Sequence, residues 1–95
     1  MEFQIESRSG TVAVSGDMTV YAAAELKTAL LAELADGNTA LDLAQVQEID
    51  TAGLQLLLVL NRELSGALKI VACSPGVRAT LELAHLNALI VKEAA

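Results

Sequence analysis

Apolar and polar positions alternate from the start of the chain. Phe3, Ile5 and Ser7 fall on one side and Gln4 and Glu6 on the other, the period of a strand with one buried face. Ser9-Gly10 is a turn signal and T-V-A-V-S (11–15) a second strand, so the short link predicts an antiparallel hairpin. G-D-M-T (16–19) then leads into a helix whose Leu26, Leu30 and Leu34 lie four apart, with Ala23 and Leu31 beside them. D-G-N (36–38) ends that helix, because Gly37 can take the positive φ of a C-terminal cap. Thr39 to Leu43 reads as a third strand and Ala44 to Glu48 as a loop. A helical pattern runs from Ala52 to Leu64 and closes at Ser65-Gly66; L-K-I-V-A (68–72) is the next strand. Ser74-Pro75 opens a third helix, serine as cap and proline at the first helical position, with Val77, Leu81 and Ala84 on its apolar stripe. Asn87 breaks it, and Ala88 to Val91 reads as a last short strand.

The predicted order is β-β-α-β-α-β-α-β. Strands alternating with helices imply an α/β fold with right-handed crossovers and a small mixed, largely parallel sheet. Its expected core is Leu26, Leu30, Leu34, Leu56, Leu57 and Leu60 laid over Ile5, Val12, Val14, Leu41, Leu43 and Ile70. Ninety-five residues, without repeats or linkers, are read as a single domain spanning 1–95. The chain is 54% hydrophobic yet only 2% aromatic, so that core must be aliphatic and tightly packed.

Composition narrows the class of function. A formal net charge of −6 disfavours nucleic acid and anionic membrane surfaces as partners. The longest aliphatic run, Leu56 to Leu60, is far below the ~20 residues of a membrane span, so no direct membrane insertion is expected. Met1 to Glu6 has no signal-peptide character, and a lone Cys suits a reducing compartment. The expected location is the cytoplasm.

Catalytic readings find little support. His85, the sole histidine, has no Cys, Asp or Glu at metal-ligand spacing and reads as a surface or cap residue. Cys73 has no second cysteine or adjacent base and reads as a structural thiol. Glu25, Glu33, Glu63 and Glu82 read as solvated helix faces, and no Gly-rich phosphate loop is present. No enzyme, cofactor or metal is expected.

E-I-D-T-A-G-L-Q (48–55) is different, because it sets an acid, a hydroxyl and a glycine between two apolar blocks. Asp50 and Thr51 are both favoured N-caps for the helix that follows, and Asp50 puts negative charge at the positive end of the helix dipole. Gly53 needs a further reason, since glycine inside a helix costs roughly 1 kcal/mol against alanine. Small side chains at Ala52 and Gly53 would leave the Thr51 hydroxyl and the first N–H groups uncovered to an approaching protein. A helix N-terminus accepts a phosphate readily, so Thr51 is a candidate switch.

L-D-L-A-Q-V-Q-E-I-D-T-A-G-L (41–54) resembles the central signature of STAS domains, the fold of bacterial anti-sigma factor antagonists; Asp42, Leu43, Val46, Ile49, Asp50, Thr51, Gly53 and Leu54 carry the match. G-D-M-T before A-A-A-E-L-K-T-A-L resembles the family's Gly-Glu-Leu-Asp loop and first helix. L-K-I-V-A-C-S-P-G-V-R-A-T-L-E-L-A-H-L resembles its fourth strand and third helix. The resemblance implies the STAS fold, with helices packed on one side of the sheet. It implies a non-catalytic interaction module with Thr51 at the phosphorylated position, switched by a partner anti-sigma, serine kinase-like ATPase. The partner surface is then expected to comprise Asp50, Thr51, Ala52, Gly53 and Leu54 with Asp17, Met18 and Thr19.

Two positions depart from the family pattern: Thr19 stands where the loop usually ends in an acid, and Gln55 where many antagonists have Gly. The signature also resembles small STAS proteins associated with chemotaxis-type signalling. A further likeness is to the STAS subunit of envelope lipid-transport ABC complexes, whose partner would be the ABC ATPase, docked constitutively. Some relatives bind small ligands or nucleotides, and that is the third class of reading.

Overall fold

A computed structural model describes residues 3–34, 37–86 and 89–90. Its elements are β1 (Phe3–Arg8), β2 (Thr11–Met18), α1 (Ala23–Leu34), β3 (Ala40–Ile49), α2 (Thr51–Glu63), β4 (Lys69–Cys73) and α3 (Pro75–Leu83). They form a four-stranded sheet in spatial order β1-β2-β3-β4. The predicted hairpin is present, with Arg8 opposite Thr11. Ser9 and Gly10 take φ of 53° and 83°, the left-handed pair that lets a two-residue turn match the strand twist. The pairs β2–β3 and β3–β4 are parallel, so the sheet is mixed and mostly parallel.

Burial sorts the sheet into two faces. Val12, Val14, Met18, Leu41, Leu43, Val46 and Ile70 are buried in one cluster with Leu26, Leu30 and Leu34 of α1, Leu56, Leu57 and Leu60 of α2, and Val77 and Leu81 of α3. Ile5 packs against its edge, partly buried. The alternate sheet positions, among them Ala13, Ser15, Asp42 and Gln45, are not buried, so all three helices lie on the same side. Among the described residues no helix is long and apolar enough to cross a membrane.

Two strands are longer than their alternation suggests. The expected loop at Ala44–Glu48 is strand, and β2 runs on through Gly16, Asp17 and Met18. The cause is a pair of bulges in β3. Leu43 and Ala44 together oppose Val14, and Gln47 and Glu48 together oppose Asp17. Each extra residue shifts the period of two, so Val46 instead of Gln45 faces the core and the polar stretch imitates a loop. The expected last strand falls partly on residues 88 and 91, outside the described residues; within them, Ile90 makes one parallel bridge to Ile70.

The helix ends follow their local chemistry. Ser74 caps α3 by accepting from the Val77 N–H at 3.4 Å, while its hydroxyl donates to the Val46 carbonyl at 2.6 Å. At the other end the His85 N–H bonds the Glu82 carbonyl at 3.1 Å and the Leu86 N–H bonds the Leu81 carbonyl at 2.8 Å. This is the paired closure that needs a left-handed residue at the corner. That residue is His85, exposed, with φ of 60°. His85→Gly should therefore raise stability by about 1 kcal/mol, the strain of a side chain in the left-handed region. Urea denaturation measures it, and an unchanged or lower midpoint would contradict the assignment.

Candidate functional site

The parallel strands β2 and β3 end together, with Met18 paired to Ile49. The chain crosses from there into the 19–22 turn on one side and α2 on the other. Asp50 is the N-cap of α2, in extended backbone, so Thr51 becomes the first helical residue. Of the two capping residues offered by the sequence, the carboxylate takes the role.

Asp50 does more than cap. Its Oδ1 accepts from the Gly53 N–H at 3.1 Å, and its Oδ2 accepts from the Val20 N–H at 2.9 Å. Its own N–H donates to the Met18 carbonyl at 3.2 Å. One side chain thus joins the start of α2 to the turn before α1. These hydrogen bonds, that from Val20 foremost, favour the charged form and hold the carboxyl below its ordinary range.

Gly53 has an internal reason. A Cβ built there would lie 2.2 Å from the Met18 carbonyl oxygen and 2.7 Å from Cγ1 of Ile49. The first turn of α2 rests directly on the end of β2, and only hydrogen fits between them. The expectation that this glycine clears the surface for a partner is corrected accordingly: Gly53 is buried, and it lets the helix seat on the sheet.

The remaining candidate residues divide by exposure. Thr51 is exposed, and its hydroxyl makes no hydrogen bond among the described residues. Asp17, Thr19, Ala52 and Leu54 are half-buried, while Met18 is fully buried and contributes a carbonyl, not a side chain. Two residues missed by sequence reasoning stand beside them. Val20 is 63% exposed and Tyr21 92% exposed, in a turn closed by the Ala22 N–H on the Thr19 carbonyl at 3.0 Å. An apolar pair placed just before the leucine stripe of α1 was the available signal. Cys73 is half-buried and His85 exposed, and neither is in the set that Asp50 joins.

Among the described residues no group of three His, Cys, Asp or Glu side chains could hold a metal ion. A broad concavity of about 620 Å³ lies on the open sheet face, lined by Gln4, Glu6, Ala13, Ser15 and Gln45 among others. It offers one carboxylate among neutral groups, and none of the residues singled out at the α2 end.

The family model described as "Mlab, STAS domain" matches residues 1–92. The chain belongs to the STAS domain family. Among solved structures, this STAS protein is similar to an anti-sigma factor antagonist from Mycobacterium paratuberculosis. The two are 26% identical with a TM-score of 0.75, and the match covers 97% of this chain and 86% of that one. The Bacillus cell fate determinant SpoIIAA in its phosphorylated form matches at 21% identity and a TM-score of 0.65, over 97% and 91% of the two chains. The anti-sigma factor antagonist SpoIIAA in its unphosphorylated form matches at 22% identity and a TM-score of 0.71, over 97% and 88%. At those identities the two SpoIIAA structures speak for the fold alone. No curated protein matches the chain.

Two measurements test the geometry of this STAS site. Helix propensity alone would make Gly53→Ala stabilising by about 1 kcal/mol. The close approach to Met18 predicts the opposite sign, a loss of about 1–3 kcal/mol. Equilibrium unfolding decides between them. For Asp50, the folded carboxyl titrates below the ordinary value of 3.8, so its contribution is complete above that pH and disappears as pH falls through the folded value. The stability difference between wild type and Asp50→Asn should be constant from neutral pH down to about 5 and shrink below 4. A difference that persists unchanged into strong acid would show that the charge is irrelevant.

Proposed function

We propose that this STAS protein is a non-catalytic regulator of the anti-sigma factor antagonist type, acting in the bacterial cytoplasm. It docks the Asp50–Leu54 end of α2 and the neighbouring 17–19 segment onto a kinase-like ATPase, and phosphorylation of Thr51 releases it. The observation that carries this reading is the separation of roles at adjacent residues. Asp50 holds the cap and the turn, and the exposed Thr51 hydroxyl beside it bonds nothing among the described residues. A phosphate there would sit at a helix N-terminus, where negative charge is favoured, and would leave the fold intact. It would also place about −1.5 to −2 charges on the docking surface, to be dehydrated against the partner. The likeness to an anti-sigma factor antagonist supports the same reading.

A second reading is a constitutive subunit docked on the ATPase of a lipid-transport ABC complex, with Thr51 making contacts and never modified. The family model's description, "Mlab", and Thr19 at the usual acid position both favour it. The two readings part at Thr51. For a switch, Thr51→Ala should fold within about 0.5 kcal/mol of wild type, bind the kinase-like ATPase that the wild-type protein binds, and resist inactivation. Thr51→Glu should fold and bind weakly. Intact-mass measurement after incubation with that ATPase and ATP should find one phosphate, on Thr51. A phosphate on another residue, or none while the ATPase is active, removes the switch. Weakened binding in both variants with no phosphate in native protein would establish the constitutive subunit.

A further inference from the structure

Among the described residues β1 is an edge of the sheet, paired to β2 alone and without a register shift. A two-residue turn closes on a hydrogen-bonded pair, here Arg8 with Thr11, and such pairs alternate along an antiparallel ladder. Arg8, Glu6 and Gln4 therefore turn their backbone groups toward β2, while Ser7, Ile5 and Phe3 turn theirs outward. Edges of this kind are ordinarily blunted by proline, a bulge or an inward-pointing charge. Residues 3–8 contain no proline and no bulge. Their charges, Glu6 and Arg8, lie on the open face and pair with each other at 2.7 Å.

The side chains of β1 divide in the same way. Phe3, the chain's single phenylalanine, and Ile5 are half-buried at the margin of the helix-side core. Ser7 follows them, its hydroxyl donating to the Glu33 carboxylate of α1. Gln4 and Glu6 are exposed on the other face. Because only the odd-numbered residues offer outward groups, an antiparallel second copy of β1 can pair in few registers. One of them sets Ile5 opposite Ile5, Phe3 opposite Ser7 and, twice across the two-fold axis, Gln4 opposite Glu6. It pairs residues 3–7 throughout, joins the apolar margins of two cores, and gives each carboxylate an amide that can donate to it. A slip of two residues in one direction sets Glu6 against Glu6, and in the other leaves only residues 3–5 paired. A slip of four brings Glu6 opposite Arg8, but the strand ends there at Ser9, whose φ is 53°.

We propose that β1 pairs with β1 of a second copy of this chain about a two-fold axis, in the register that sets Ile5 opposite Ile5. Odd residues then face odd residues, so one sheet continues through both protomers with all the helices on the same side. The occupant is a second copy because the strand is complementary to itself: apolar positions meet on one face, and on the other no like charges stand opposite. Symmetry doubles each such contact. The proposal goes beyond the docking reading and does not rest on it.

The test is sedimentation equilibrium of the purified chain over a wide range of concentrations, in salt enough to screen its net charge of −6. Wild type should pass from monomer to dimer as concentration rises. Gln4→Glu changes only an exposed side chain, yet it places like charges opposite each other twice and should weaken the dimer about two- to thirty-fold. Adding Glu6→Lys to that variant should restore association, and thermal unfolding checks that both variants are folded. Amide hydrogen exchange reads the same register from the backbone. Protection at Phe3, Ile5 and Ser7 should rise with concentration, while that at Gln4 and Glu6, already bonded to β2, should not. A chain that stays monomeric at every concentration overturns the proposal. So does a dimer indifferent to Gln4→Glu, or one that forms without added protection at Ile5 and Ser7. If the wild type is monomeric and those amides are protected only in complex with another protein, the edge belongs to that partner and the second copy is overturned.

Discussion

The carbonyl of Met18 sets the geometry of the site. It accepts from the Asp50 N–H at 3.2 Å and lies where any Cβ at residue 53 would collide, 2.2 Å away. Strand β2 and helix α2 therefore meet backbone to backbone, closer than side chains allow. Once that contact is made, the cap residue has no choice of position. Its carboxylate reaches the Gly53 N–H within its own helix and the Val20 N–H across the junction. The turn that carries Tyr21, the first turn of α2 and the ends of two parallel strands become one body.

This arrangement leaves the residue next to the cap exposed. Thr51 follows the cap directly, yet its hydroxyl bonds nothing among the described residues and its side chain is in solvent. Had threonine been the cap, modifying it would have cost the helix its N-terminal partner. Giving the cap to aspartate separates the structural duty from the exposed group by a single residue. The same carboxylate also ties α2 to the 19–22 turn, so it joins the two parts of the proposed docking surface.

Bulges in β3 contribute to the same end. By opposing two residues to one at Val14 and again at Asp17, they bring Ile49 level with Met18, where the crossing into α2 begins. A regular strand of that length would reach the sheet's end in a different register, with Val46 turned toward solvent. The irregular part of the sheet is thus the part that positions the site.

Much of the fold was legible in the chain itself. Leucines four apart in α1, alternation in β1 and Ser-Pro at the start of α3 are local signals, each set by helix or strand period and by cap chemistry. They gave the element order through α3 and the one-sided core. The I-D-T-A-G-L stretch likewise marked the strand-to-helix junction between β3 and α2 by sequence alone. What the sequence left open depended on contacts between distant segments. Asp50 and Thr51 are both favoured caps in isolation, and the Val20 N–H, thirty residues away, is bonded by the carboxylate and not by the hydroxyl. Gly53 looked like an opening for a partner because its nearest neighbour, the Met18 carbonyl, arrives from another strand. The bulges hid half of β3, since an extra residue is defined only against the strand it faces. The exposure of Tyr21 was hidden in the same way. Its exposure follows from how the turn is held against α2, and local period carries no information about that.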